Sequence, residues 1–263
     1  MKSIDSDWES KNVLITVKTY PNPSLSHKET VCVAGISDEG KWIRIYPIKF
    51  RNLPYDKRFR KYDVIKMKVR KEPRDPRPES YFPDSDSFEL QGQLPSNDGW
   101  KKRREWVFKA GSHSMCDIQE MQKTNHKTLG TVHPKRVLDF LIEDDSAEWS
   151  PKLKEVLSQL ELFEKKTSIL EKIPLKFKYR YICSDPNCTG HEQSIFDWEI
   201  FALYRQLKNR HQQDIVKIKS DIKKRFFEIM CNEKRDVCFF VGNQHWFPKS
   251  FIILGVFWPP KLT

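Results

Sequence analysis

Two thiols and an imidazole fall within nine residues, in the run Cys183-Ser-Asp-Pro-Asn-Cys188-Thr-Gly-His191. A Cys-x4-Cys-x2-His spacing in a turn rich in Asp, Pro, Asn and Gly brings three ligands to one side of a tight loop, as tetrahedral zinc requires. A fourth ligand must come from farther along the chain, and His245, Cys231 and Cys238 are the candidates. Four protein ligands would make the ion structural, whereas three and an open position would make it catalytic. The competing reading is a polar turn whose thiols merely fill space. A structural zinc is the expectation. Cys32, in Val-Cys-Val, and Cys238, in Val-Cys-Phe, read most simply as small core residues.

Three further segments could carry chemistry. Asp197-Trp-Glu199 places two carboxylates at a helix start, where positions two apart point about 200° away from each other. They would not share a metal easily, and compensation of the helix dipole is the expected role for at least one. Gly242-Asn-Gln-His245-Trp-Phe-Pro248 combines an imidazole, two amides and two aromatics, enough to hold a base by stacking and edge hydrogen bonds, or to make a satisfied hairpin. Asp75 and Glu79 could hold a divalent ion in a nuclease, although no E-x-K arrangement follows in a strand. Asp75, Glu79, Glu199 and His245 are therefore the catalytic candidates of an enzyme reading. No G-x-S-x-G, phosphate-binding glycine loop, dinucleotide fingerprint or H-E-x-x-H occurs, so ordinary NTPase and dehydrogenase readings drop out.

The charge is more informative. The 263-residue chain carries a net charge of +11, and Lys41 to Arg74 alone holds thirteen cations against Asp56, Asp63 and Glu72. Trp42, Tyr46, Phe50, Tyr55, Phe59 and Tyr62 are interleaved with them. Clustered cations beside planar side chains suit a phosphate backbone with splayed bases. Arg44, Arg51, Arg58 and Arg60 are expected on phosphates, and Trp42, Tyr46 or Tyr55 on a base if exposed. Lys101, Lys102, Arg103, Arg104 and the Lys217–Arg225 helix face would assist. The same patch could instead serve an acidic protein partner. No run approaches the roughly 18 apolar residues of a membrane span. The polar opening Met1–Asp7 lacks the apolar middle of a signal peptide, so a cytoplasmic protein without a membrane partner is expected.

These side chains need elements to hold them. Residues 12–17, 30–36, 42–46 and 63–70 read as strands, the last with Lys66, Lys68 and Arg70 opposite Ile65, Met67 and Val69. Pro73 to Pro95 reads as a long loop or arm. Trp100–Trp106 is a short helix, and a turn and strand follow over 129–143. Ser150-Pro151 starts a helix continued by Leu153, Val156, Leu157, Leu160 and Phe163. Residues 175–182 form a strand, and 194–207 and 214–230 form helices. Val237–Val241 and Phe251–Phe257 close a sheet, the latter apolar enough to lie centrally. The expected fold is α+β. A basic, mostly antiparallel sheet or small barrel over 10–145 is joined to a helical zinc-loop region over 150–263, with one core shared by the two parts left open as an alternative to separate cores.

Glu29-Thr-Val-Cys-Val-Ala-Gly-Ile36 with Trp42-Ile-Arg-Ile-Tyr-Pro-Ile48 resembles the opening of an uncharacterised prokaryotic protein family. The zinc-loop run with Asp197-Trp-Glu199, and Phe240-Val-Gly-Asn-x-His245 with Phe251-Ile-Ile-Leu-Gly255, resemble the same family. The resemblance implies no activity or cofactor. The basic barrel is also similar in pattern to PUA-like barrels, which bind RNA and modified bases, an analogy of fold alone. Nucleic-acid binding is the leading functional expectation. A metal-dependent nuclease or base-modifying enzyme, and an acidic-partner module, are the alternatives.

Overall fold

A computed structural model of the chain describes residues 7–24, 28–155, 157, 170–244 and 247–262. Strands β1 (Glu9–Lys18), β2 (Asn22–Ser24), β3 (Lys28–Ser37), β4 (Trp42–Ile48), β5 (Asp63–Lys71) and β6 (Ser80–Gln93) form one sheet. Its order β1-β5-β6-β4-β3 closes on itself through a β1–β3 pairing, leaving β2 as an appendage of β3. All pairs in the barrel are antiparallel except β4–β6. Helices α1 (Lys101–Lys109) and α2 (Met115–Asn125) lead to β7 (Gly130–Val132) and β8 (Pro134–Asp144). Then come β9 (Leu175–Cys183), β10 (His191–Ser194), α3 (Trp198–Arg210), α4 (Ile215–Lys223), β11 (Cys238–Gln244) and β12 (Phe247–Phe257). These strands form two three-stranded sheets, β10-β9-β8 and β12-β11-β7, which complete the α+β architecture.

Strand β1 is apolar on both faces because both are covered. Val13 and Ile15 fill the barrel with Ile43, Ile45, Ile65, Met67 and Val69. Leu14 and Val17 face outward onto Leu254 and Phe257, a register shift between Ile15 and Val17 turning Val17 to that side. Barrel and C-terminal strands thus share a core. On β5, Ile65, Met67 and Val69 point inward and Lys66, Lys68 and Arg70 outward, as their alternation predicts. Closure demands Gly35: a Cβ there would meet the Leu14 carbonyl oxygen at 2.2 Å and Val13 Cγ1 at 2.6 Å. Gly35→Ala is expected to destabilise the chain by about 2–3 kcal/mol, an overpacking cost read by urea denaturation.

Several expectations change once the elements are placed. The outer face of β4 is covered, not solvated: Trp42 lies edge-on against Phe240 with ring centres 5.7 Å apart, and Arg44 is buried. Residues 80–93, within the stretch expected as a loop, form β6; register shifts interrupt its ladder with β5, and across one of them Ser87 Oγ accepts the Lys68 N–H. The division at 145–150 cuts across hydrogen bonding, since β7 pairs with β11 and β8 with β9. Strand β12 is an edge of its sheet; Phe247 is exposed, while Phe251 and residues 253–257 are buried against the barrel and beneath residues 195–196. Helix α3 starts at Trp198, because Asp197 caps it, and Phe196 stays exposed. A helix starts at 151, while Leu160 and Phe163 lie outside the described residues. Helix α2 was not anticipated. No helix among the described residues is long and apolar enough to cross a membrane.

Candidate metal centre and cationic cleft

The sequence of the 183–191 loop creates a socket for sulfur ligands. Cys183 ends β9, residues 184–190 turn, and His191 opens β10, which pairs back on β9 through His191 and Tyr181. The Cys188 sulfur accepts the backbone N–H groups of Cys183 and Gly190, each at 3.4 Å, and lies 3.3 Å from His191 Nε2. The fourth member is Cys116, from the first turn of α2. Its Sγ stands 3.7 Å from both Cys183 Sγ and His191 Nε2, and all four ligand atoms lie within 4.8 Å of one another. A tetrahedron with metal–sulfur bonds of about 2.3 Å has edges of roughly 3.8 Å, so these spacings suit one metal ion. Burial raises the Cys183 thiol, but N–H groups of Cys116 and Asp185, with His191 and Cys188, draw it down to about 6. Burial and the neighbouring sulfurs push Cys116 up to about 12. A thiolate is therefore favoured inside the cluster, the state that binds metal.

Cys116 replaces the expected fourth ligands. Cys231 donates instead to the Phe226 carbonyl, Cys238 is buried near His133 and Asp236, and His245 lies outside the described residues. A signal for Cys116 was present: Ser114-Met-Cys-Asp117 forms a capping box, Ser114 accepting from the Asp117 N–H while Asp117 accepts from that of Ser114. The box fixes the helix start, and with it the cysteine in its first turn.

Six residues beyond His191 the chain reaches a second constellation. Asp197 has extended backbone as the N-cap of α3, so the rotation of 100° per residue does not separate it from Glu199. Both carboxylates converge on Lys61 Nζ, each at 2.9 Å, with Asp197 wholly buried and Glu199 48% exposed. Burial would lower Lys61, but Asp197 and Glu199 more than reverse it and hold the ammonium charged. Burial raises Asp197 to about 6 despite that partner.

This cluster forms part of the wall of a cleft of about 840 Å³ between barrel and C-terminal half. Its cations rest on rings. The Arg103 guanidinium lies 4.1 Å from the Tyr62 ring centre and 4.8 Å from that of Trp100. Arg225 and Arg235 lie 4.7 and 4.8 Å from that of Trp258, and Lys18 Nζ 4.4 Å from that of Trp198. No ion pair with a carboxylate is formed by Arg60, Arg103, Arg225 or Arg235 among the described residues. Burial pushes Lys18 down to about 8 against the pull of Glu199 and Asp197. Tyr62 and Trp100 hold left-handed backbone, φ 67° and 64°, a conformation costly for large side chains and found where geometry serves a site.

The expected binding residues separate accordingly. Arg60 lines the cleft and is exposed, Arg103 lines it but is buried, its Nε donating to the Leu94 carbonyl, and Tyr55, 90% exposed, stands on the barrel rim beside exposed Arg58. Arg51 and Tyr46 are half-buried, and Lys101 and Lys102 are exposed. Trp42 and Arg44 are excluded from polynucleotide by burial, and Arg104 is paired with Asp236 at 2.5 Å. The nuclease pair is occupied too. Asp75 is held by Arg77, and Glu79 is buried, accepting from the N–H and hydroxyl of Thr128, which in turn accepts from Arg44. No group able to hold a metal among the described residues contains Asp75, Glu79 or Glu199. Lys18, Trp198, Arg235 and Trp258 were not anticipated, since only folding brings them together.

Residues 9–109 match a family model described as a domain of unknown function (DUF8758). Residues 111–263 match one described as a domain of unknown function (DUF8757). The two matches meet between α1 and α2. No curated protein matches the chain. This accords with the motif resemblance to an uncharacterised family, and, matched over more than half its length, the chain belongs to the DUF8757 family.

Proposed function

We propose that the chain binds nucleic acid in the cleft between barrel and C-terminal half, around a zinc-stabilised scaffold. One observation carries the reading: Arg225 and Arg235, at the mouth of the cleft, are held in place by the Trp258 ring instead of by carboxylates. Ring contacts orient a guanidinium without neutralising it, so the positive charge and the N–H fork remain available to phosphate. Aromatic and guanidinium planes in one concave site also suit splayed bases. The Cys116, Cys183, Cys188 and His191 set would hold zinc structurally, because four protein ligands leave no open position. That ion would tie α2 to the β9–β10 loop and so fix the approach to Asp197.

Fluorescence anisotropy with labelled single-stranded and duplex oligonucleotides tests this across a salt series. Affinity should fall linearly on logarithmic axes, by about 0.7 per phosphate neutralised on a single strand. Arg225→Ala and Arg235→Ala should each reduce that slope by about one such increment. Trp258→Ala, which removes the support of both, should weaken binding about tenfold. Absence of binding to any polynucleotide at low salt, or binding indifferent to salt, would overturn the reading.

A further inference from the structure

We infer that the cleft seats a single unpaired base and reads its edge through Glu199, favouring guanine; this rests on the nucleic-acid reading above. The cleft volume of about 840 Å³ is that of a small-ligand site and admits a nucleotide, not a duplex. Among the described residues lining it, Glu199 is the sole carboxylate. Its presence needs a reason, because a negative charge in an otherwise cationic cleft repels phosphate. Neutralising Lys61 is not that reason: Asp197, wholly buried and 2.9 Å away, already does so. Glu199 is the surplus partner, 48% exposed, with Oε2 fixed by Lys61 at 2.9 Å. A carboxylate so held is an acceptor aligned before ligand arrives, and it calls for N–H donors. Guanine presents two adjacent ones on its pairing edge, N1–H and N2–H, matching the carboxylate fork. Uracil presents one N–H between two carbonyl oxygens, which a carboxylate repels. Adenine and cytosine each offer one amino group beside an acceptor. The edge must be unpaired to be read this way. The buried Tyr62 hydroxyl, with no hydrogen-bond partner among the described residues, adds a polar group in the same wall.

The probe is a nine-residue oligouridine whose central base is U, A, C or G, measured by anisotropy against the full chain and against Glu199→Gln. The central-G strand should bind about tenfold tighter than the all-U strand, the magnitude of one bidentate contact. Its annealed duplex should lose that advantage. Glu199→Gln keeps an acceptor for Lys61 but sets an amide N–H against guanine, so the preference should vanish while all-U affinity rises, because a charge that repels phosphate and the uracil carbonyls is removed. Equal binding of all four strands, a preference that survives Glu199→Gln, or tighter binding of the duplex would overturn this inference and leave cleft binding standing. Failure of every strand to bind would instead remove the nucleic-acid reading, and this one with it.

Discussion

Cys116→Ser is expected to abolish stoichiometric zinc and to lower the melting temperature by about 10 °C. The purified chain should carry one zinc per molecule by elemental analysis, and Cys183→Ser, Cys188→Ser and His191→Ala should each lose it. The magnitude follows from mass action: an ion that binds the folded chain at a thousandfold excess over its dissociation constant contributes about 4 kcal/mol. For a chain of this size each kcal/mol moves the midpoint by roughly 2–4 °C. The loop has little else to hold it, since residues 184, 186, 187 and 189 are exposed and the ligands are its inward-facing groups. Cys231→Ser and Cys238→Ser are the discriminating controls. Neither residue lies with the four ligand atoms, so both variants should retain one zinc. Zinc retained by Cys116→Ser but lost from Cys231→Ser or His245→Ala would refute the assignment.

The contrast between Cys188 and Cys116 explains what the sequence could and could not disclose. Cys183, Cys188 and His191 are local, so their spacing alone identified them. Cys116 lies 67 residues before Cys183 and approaches through packing of α2, an event no spacing encodes. Strands were legible where one face is solvated, as in the alternation of β5. They became misleading where both are covered: Arg44 has the sequence environment of a surface arginine, yet it is buried because β11 crosses its face, bringing Gly242 against it. The charge cluster in 41–74 had the same weakness. Its members scatter over a barrel, some inside walls and some on the rim, while Arg225 and Arg235 from the other half supply cations to the cleft. Expecting Asp197 and Glu199 to diverge failed for a smaller reason, the placement of the helix start one residue later than Asp197.

Lys61→Met should cost about 3–5 kcal/mol at neutral pH, because Asp197, wholly buried and left unpaired, must either keep its charge without a partner or take up a proton on folding. Asp197→Asn should cost much less. Asparagine caps a helix as well as aspartate does, and Lys61 keeps Glu199 at 2.9 Å. The two variants therefore separate loss of an ion pair from creation of a buried charge, and Lys61→Met/Asp197→Asn should recover part of the single-variant loss. The pH dependence has a definite sign. Burial already raises Asp197 to about 6 with Lys61 present, and removing the ammonium raises it further. A carboxyl whose folded value exceeds its unfolded value of about 3.9 favours folding fully below that value and loses the contribution as pH rises. Thermal melts should show Lys61→Met close to the parent chain near pH 4 and increasingly destabilised from pH 5 to 8. A uniform difference across that range would mean that packing, not the stranded carboxylate, sets the cost. The same variant bears on recognition, since Lys61 is what fixes Glu199. Lys61→Met should lose guanine preference at pH 5, where it remains folded, while Asp197→Asn retains it.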